Sequence, residues 1–384
     1  MPTTIRTDDP RELLALIPFQ LGFQPAESAV LVSIRADRRV GLVARADLAD
    51  LADPADGDQL ARTLVTHLAG DGARRAVVVL FTAEDLQDDS IEGVGRTVAS
   101  RLREAAAPAL SDVDCWVVGP RGYHGLDCAD RTCCPPGGRP LDDLQGTRIG
   151  AQMVLDGVTV ARSRDELVRI PAAAPEARKA ARRARLRWES RLAKGDAHRW
   201  RRDGLALWRA EVARVAALDA DPNDEVDGLR PLVLGALADR PAATTMGKLH
   251  GALADVLVRD AVLLTFVPGA GCVADLVVAG DGGADVGRAL RTIIDPVEGR
   301  RPDPAVTHPA RRVLEQLVAH SPRGNGHVPA LTLLAVLAWW DGDGARAGVH
   351  LDRALAADPA YRLAVLVDDA LRLGMPPGWA RARD

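Results

Sequence analysis

Apolar residues follow two rhythms along this chain. Up to about residue 145, short apolar runs alternate with helical spacing. Ala29–Ile34 and Val40–Arg45 flank the turn-like Ala36-Asp37-Arg38-Arg39 and predict a β-hairpin. Leu60, Leu64, Val65 and Leu68 recur at helical spacing. Ala76–Phe81 (AVVVLF) is an unbroken β-branched run, the pattern of a strand buried on both faces. Ile91–Leu110 reads as helix and Val113–Val118 as a further strand. Strands alternating with helices predict an α/β (or α+β) domain over 1–145, a mixed sheet covered by helices.

From about 146 the apolar spacing is helical, broken by Gly/Pro/Asp clusters near 219–228, 267–287 and 296–309. The expectation for 146–384 is an all-α domain of six to nine helices. Its end is the most patterned part. Ala335, Ala347 and Ala354 are small residues around a turn at Gly342-Asp343, and Tyr361–Leu373 follows as a capping helix. Over about 328–375 this resembles a tetratricopeptide helix pair, where small residues let antiparallel helices approach closely. One copy is visible, whereas such units stack in threes or more, so a helical hairpin packed on its own domain is the simpler expectation.

Composition excludes more than it assigns. Of 384 residues, 49 are basic and 53 acidic, a net charge of −4. No run of about 18 apolar residues occurs, so no membrane association is expected, and the N-terminal sequence lacks a secretory pattern, giving a cytoplasmic expectation. Only Lys179, Lys194 and Lys248 are lysines, and Gly247-Lys248 is followed by Leu249 rather than Ser or Thr, so a P-loop is excluded. No Schiff-base lysine exists before residue 179. HExxH and GxSxG are absent.

Chemistry concentrates in the loop 124–138. Cys128, Cys133 and Cys134 lie within seven residues, preceded by His124 and Asp127. Thiolates and an imidazole suit zinc, although a second C-x2–4-C pair is missing. Cys128 and Cys133 also permit thiol redox chemistry, with Arg131 or His124 lowering a thiol pKa. A third possibility is a tight loop fixed by Pro135-Pro136, its cysteines serving as small apolar fillers. Cys115 and Cys272 are expected to be buried and inert.

Arg178–Arg202 carries eleven basic residues against Glu189 and Asp196, a local net of +9 in 25 residues, interleaved with Trp188, Trp200 and nearby Trp208. Arg182, Arg183 and Arg185 are candidate phosphate contacts and the indoles candidate base stackers. Against this, cations occupy nearly every helical angle, as a solvated helix also would. Three weaker features remain. Arg259-Asp260 interrupts the apolar stretch 252–266, either as an ion-pair network or as an inward-facing site. Arg45 and Asp47 share one strand face, solvent or pocket wall. Gly269-Ala270-Gly271-Cys272-Val273-Ala274 matches G-x-G-x-x-A, and Leu263–Val267 before it can pass as a strand, but the Gly/Asp-rich continuation does not suit a dinucleotide fold.

Several strings together resemble a known family. They are Ile17-Pro18 with Leu21-Gly22-Phe23-Gln24-Pro25 and Ser28; Arg45-Ala46-Asp47-Leu48; Cys128 with Cys133-Cys134-Pro135-Pro136-Gly137; Val258-Arg259-Asp260; and Gly342-Asp343-Gly344 through Ala354–Pro359 with Tyr361-Arg362-Leu363-Ala364. The pattern is similar to an actinobacterial family catalogued as domain of unknown function 4192. It departs at Gly137-Gly138, where an acidic residue is expected before the second glycine. The resemblance implies the domain arrangement and a cytoplasmic setting, and no activity. The expectation is therefore a non-enzymatic protein-interaction module, with a protein partner and nucleic-acid association through the basic helix. The alternative is a metal-binding or thiol-redox protein, with zinc or redox chemistry at Cys128–Cys134. The two differ in whether the thiols converge with His124 or with Arg45 and Asp47.

Overall fold

The expected hairpin forms as β1 (Ser28–Arg35) and β2 (Val40–Asp47), closed by Arg38, whose φ of 64° meets the demand of the tight turn. The computed structural model describes residues 9–84, 89–192, 195–219, 243–322 and 327–381, in two compact units, Met1–Leu167 and Val168–Asp384.

In the first unit α1 (Pro10–Leu21) precedes the hairpin. After it come α2 (Leu48–Ala52), α3 (Gly57–Gly70), β3 (Ala73–Phe81), α4 (Asp89–Ala106), β4 (Asp112–Val118), β5 (Gly122–Gly125) and β6 (Arg139–Pro140). The sheet order is β2-β1-β3-β4-β5-β6; only β3 and β4 run parallel, joined by the α4 crossover. The AVVVLF run is buried on both faces as its composition predicts. Val78 and Leu80 pack with Leu64 and Leu68 of α3 and Val98 and Leu102 of α4. Val79 and Phe81 point the other way, onto Leu13, Leu14 and Ile17 of α1. The helix expected over 91–110 ends earlier, at Ala106, and Ser111 already bonds the Arg74 carbonyl beside β4.

Helix α1 has its own start signal: the Asp9 carboxylate accepts the Arg11 N–H at 2.9 Å, and Pro10 follows at the first helical position. Its Glu12 accepts the backbone N–H groups of Arg148 (3.0 Å) and Ile149 (2.9 Å). Those are the first residues of α6 (Arg148–Leu155), which lies between α5 (Asp142–Gln145) and α7 (Arg164–Leu167). The helical rhythm beginning near 146 thus starts inside the first unit, because α1 caps and holds it.

Among the described residues the second unit holds helices and no strand. It comprises α8 (Pro175–Leu192), α9 (Ala197–Asp219), a helix α10 over 243–253, α11 (Val256–Leu264), α12 (Gly271–Ala279), α13 (Gly283–Ile294) and α14 (Pro304–Ala319). Then follow α15 (Val328–Asp341), α16 (Gly344–Ala357), α17 (Arg362–Arg372) and α18 (Gly378–Arg381). The break expected near 219–228 lies almost wholly outside the described residues. That expected over 267–287 contains α12, because Ala274, Val277 and Val278 still recur on one buried face. The stretch 263–267 is the end of α11 and a turn, not a strand, so the G-x-G-x-x-A string has no strand to follow.

Helices α15 and α16 pair across Gly342-Asp343, with Asp343 capping α16 through the Arg346 N–H (2.8 Å). Every residue of α15 from Pro329 to Trp340 is buried, which makes it the hub of the core rather than the wall of an open groove. No helix of the described residues is long and apolar enough to cross a membrane.

Candidate metal centre

The cysteine loop springs from the far side of the sheet. Strand β5 pairs with β4 (Trp116 opposite Gly125), and the returning β6 pairs with β5 (Tyr123 opposite Arg139), closing the loop at its base. Between them the chain turns at Gly125, whose carbonyl accepts the Cys128 N–H at 3.1 Å. Asp130 then organises the tip. Its side chain accepts the Thr132 N–H (2.8 Å), and its carbonyl accepts the Cys134 N–H (2.7 Å) and lies 3.9 Å from the Cys128 Sγ. Pro135 and Pro136 lead to Gly137 and Gly138, both left-handed (φ 82° and 83°), and the Gly138 N–H returns to the Pro135 carbonyl at 2.8 Å.

These constraints converge three sulfurs: the Sγ atoms of Cys128, Cys133 and Cys134 all lie within 4.8 Å of one another. Cys128 and Cys133 are exposed and Cys134 is half-buried. A zinc–sulfur bond of about 2.3 Å in tetrahedral geometry sets neighbouring sulfurs about 3.8 Å apart, so the triad needs only a small contraction to hold an ion. The Cys134 thiol hydrogen-bonds to the Cys128 sulfur and lowers its pKa, with smaller contributions from the Asp130 backbone and the Cys133 thiol. Burial pushes the Cys134 thiol itself up to about 11. The expected influence of Arg131 or His124 on Cys128 is replaced by that of a neighbouring thiol.

His124 does not join this group. It stands opposite Val117, whose side chain packs in the core beneath α3 and α4. A Cβ built on Gly125 would instead meet Trp116 and the Cys128 Cβ on the other face. Period-two alternation therefore sends His124 away from the sulfurs. Arg45 and Asp47 are equally remote: they sit on β2, an edge strand four places from β5, roughly 19 Å away at about 4.8 Å per strand. There they pair with each other, and the Arg45 Nε donates to the buried Ser28 Oγ at 2.9 Å. The convergence of thiols with His124, or with Arg45 and Asp47, does not occur.

Arg259 and Asp260 form an ion pair (2.6 Å), and the Arg259 Nη1 donates to the Tyr361 hydroxyl at 3.1 Å, tying α11 to the start of α17. Arg185 pairs with Glu189 at 2.6 Å, whereas Arg182 and Arg183 are exposed. Trp188, Trp200 and Trp208 are buried in the helical core and cannot stack on a base. Cys115 is buried as expected, with its thiol pushed up to about 11 by burial. Cys272 is exposed, contrary to expectation, because it opens α12 on its solvent side.

A family model described as a domain of unknown function, DUF4192, matches residues 10–378. The chain belongs to this family. No curated protein and no solved structure matches it. In this DUF4192 chain the motif strings meet in pairs: Ser28 of the first with Arg45 of the second, and Arg259 with Tyr361 at the C-terminal end. Those pairs are braces within each unit, and the cysteine string is the one whose side chains gather on an accessible loop.

One residue that the loop requires carries no signal in the sequence pattern beyond its place in a G-x-x-G just ahead of the cysteines, Gly122. A Cβ on Gly122 would press into the Gly137 carbonyl and lie 2.9 Å from the Arg139 carbonyl. Gly122→Ala is expected to destabilise the first unit by about 1–3 kcal/mol through backbone overpacking. Exposure of the buried Cys115 thiol with increasing denaturant reports the first unit and measures this, and an unchanged midpoint would show that β6 yields freely.

Proposed function

We infer that this protein binds a thiophilic divalent ion, zinc first, through the thiolates of Cys128, Cys133 and Cys134. The supporting observation is the mutual approach of the three sulfurs within 4.8 Å on a loop braced at both ends. Among the described residues no further His, Cys, Asp or Glu joins the group. Three protein ligands leave a fourth position for water or an incoming ligand, the pattern of sites that exchange or react rather than of closed structural sites. The loop is peripheral to both faces of the sheet core, so the ion is held by the fold rather than holding it. This favours an exchangeable metal role over the interaction-module expectation, whose protein partner has no comparable supporting feature.

The test is metal content and thiol reactivity on protein purified under reducing conditions without chelator. About one zinc per chain is expected. Ellman's reagent should then find one fast thiol, the exposed Cys272, rising to four after chelation, while Cys115 reacts only on denaturation. Circular dichroism should stay unchanged throughout. Cys134→Ser should weaken zinc binding more than about 100-fold, since loss even of a residue that merely orients a ligand costs 10–100-fold. Metal-free protein whose loop thiols react equally with and without added zinc would overturn the assignment; two thiols lost together and recovered by reductant would replace it with a redox pair.

A further inference from the structure

The arginine-rich segment falls on two helices, α8 and α9, and α8 is strongly sided. Its buried stripe is Ala177, Ala181, Ala184 and Trp188, with the Trp188–Trp200 ring pair (5.6 Å) fixing α9 alongside. The cations left over are confined to the remaining surface. At 100° per residue, Arg182, Lys179, Arg183 and Arg187 fall within an arc of about 140°, all of them exposed. Among the described residues, Arg182, Arg183 and Arg187 have no ion-pair partner, whereas Arg185, Arg191, Arg201 and Arg209 each pair with a carboxylate. Lys179 pairs with the exposed Glu176. Lys179, Arg183 and Arg187 follow one another at four-residue intervals, a ridge of positive charges about 6 Å apart along the helix.

We propose that this face of α8 binds the phosphate backbone of double-stranded nucleic acid without sequence preference, a function separate from the metal loop. A regularly charged polyanion can meet a regularly spaced ridge at several points at once and release counterions at each. The unpaired guanidiniums offer bidentate donors to phosphate with no internal pair to break. A lipid surface fits less well, because an interfacial helix needs a free apolar face and the apolar stripe of α8 is committed to the core. Single strands fit less well too, since stacking aromatics carry much of their binding and the nearby indoles are buried. Phosphate contacts alone position a protein without reading bases.

Fluorescence anisotropy of the full-length chain with a labelled 20-base-pair duplex, from 50 to 200 mM NaCl, tests this. Binding with a dissociation constant of roughly 10⁻⁴–10⁻⁶ M that weakens steeply with salt is expected. The triple variant R182Q/R183Q/R187Q should bind at least tenfold more weakly, with the salt slope reduced by roughly 2.7, at about 0.9 per phosphate contact. Its thermal unfolding should match the parent, because the three side chains are exposed and unpaired. Absence of binding at 50 mM salt, or binding the triple variant leaves unchanged, overturns the proposal. Tighter binding of a single strand, of polyglutamate or of anionic vesicles overturns the duplex assignment and names the surface's true ligand class.

Discussion

Lowering the pH from 7 to 5 is expected to cost the helical unit about 6 kcal/mol of folding free energy, about 2 kcal/mol for each of three buried histidines. His250 and His327 stack with ring centroids 4.4 Å apart. The His250 Nε2 lies 2.6 Å from the Leu317 carbonyl, and the His327 Nε2 3.0 Å from the His250 carbonyl. The His327 Nδ1 accepts the Ala330 N–H at 3.3 Å, so a proton there would remove the cap of α15 and set a cation against its stacked neighbour. Burial brings His250 down to about 4 and carries His327 well below its ordinary value; Arg185 adds repulsion to both, and His320 to His250. His350 falls to about 3, by burial and by Arg353, Arg346 and Arg311, and its Nδ1 has no hydrogen-bond partner.

The direction follows from linkage. A base whose pKa is depressed in the folded state takes its proton first in the unfolded state. Stability is therefore full above about pH 6.5 and lost as pH falls toward 4. Glu315, whose carboxyl is raised by burial, works in the opposite sense but is one group against three. Denaturant unfolding at pH 7, 6 and 5 can be followed by tryptophan fluorescence, since six of the seven tryptophans lie in the second unit. His350→Leu should flatten the dependence by about one third. A stability constant within 1 kcal/mol over that range would show that these rings already accept protons in the native state.

Replacing Trp340 by alanine is expected to cost about 4 kcal/mol and to lower the melting temperature by roughly 10 °C. Trp340 is fully buried on α15. Its indole N–H donates to the Arg300 carbonyl (2.8 Å), and its own carbonyl accepts the Trp379 indole N–H (2.7 Å). Truncation opens a large cavity and strands the Arg300 carbonyl. Trp340→Phe retains most of the packing and loses the hydrogen bond, so a smaller cost of about 1–2 kcal/mol is expected. Calorimetry separates the two variants; a loss below 2 kcal/mol for the alanine form would mean that the core closes over the gap.

Strand burial was legible wherever burial alone dictated residue type. AVVVLF reads as a buried strand and the runs flanking Asp37 as a hairpin, because β-branched continuity and turn chemistry are local properties. The helical second half and the clustering of thiols in one loop were equally local. The edges of the sheet were not: β5 and β6 hold few apolar residues, and their pairing depends on Gly122 clearing the Gly137 carbonyl, a contact no periodicity reports.

The candidate site divides the same way. Seven residues of sequence sufficed to place Cys128, Cys133 and Cys134 in reach of one another, because a short loop leaves them little freedom. Which other groups join them was a matter of strand register and sheet order. Register sends His124 to the opposite face, and the order β2-β1-β3-β4-β5-β6 leaves Arg45 and Asp47 at the far edge. Helical siding likewise took the tryptophans of the arginine-rich segment into the core and left its guanidiniums outside. Residue type and short spacing determined which chemistry is present; only the tertiary structure decided which groups meet, because faces and distances are set by partners remote in sequence.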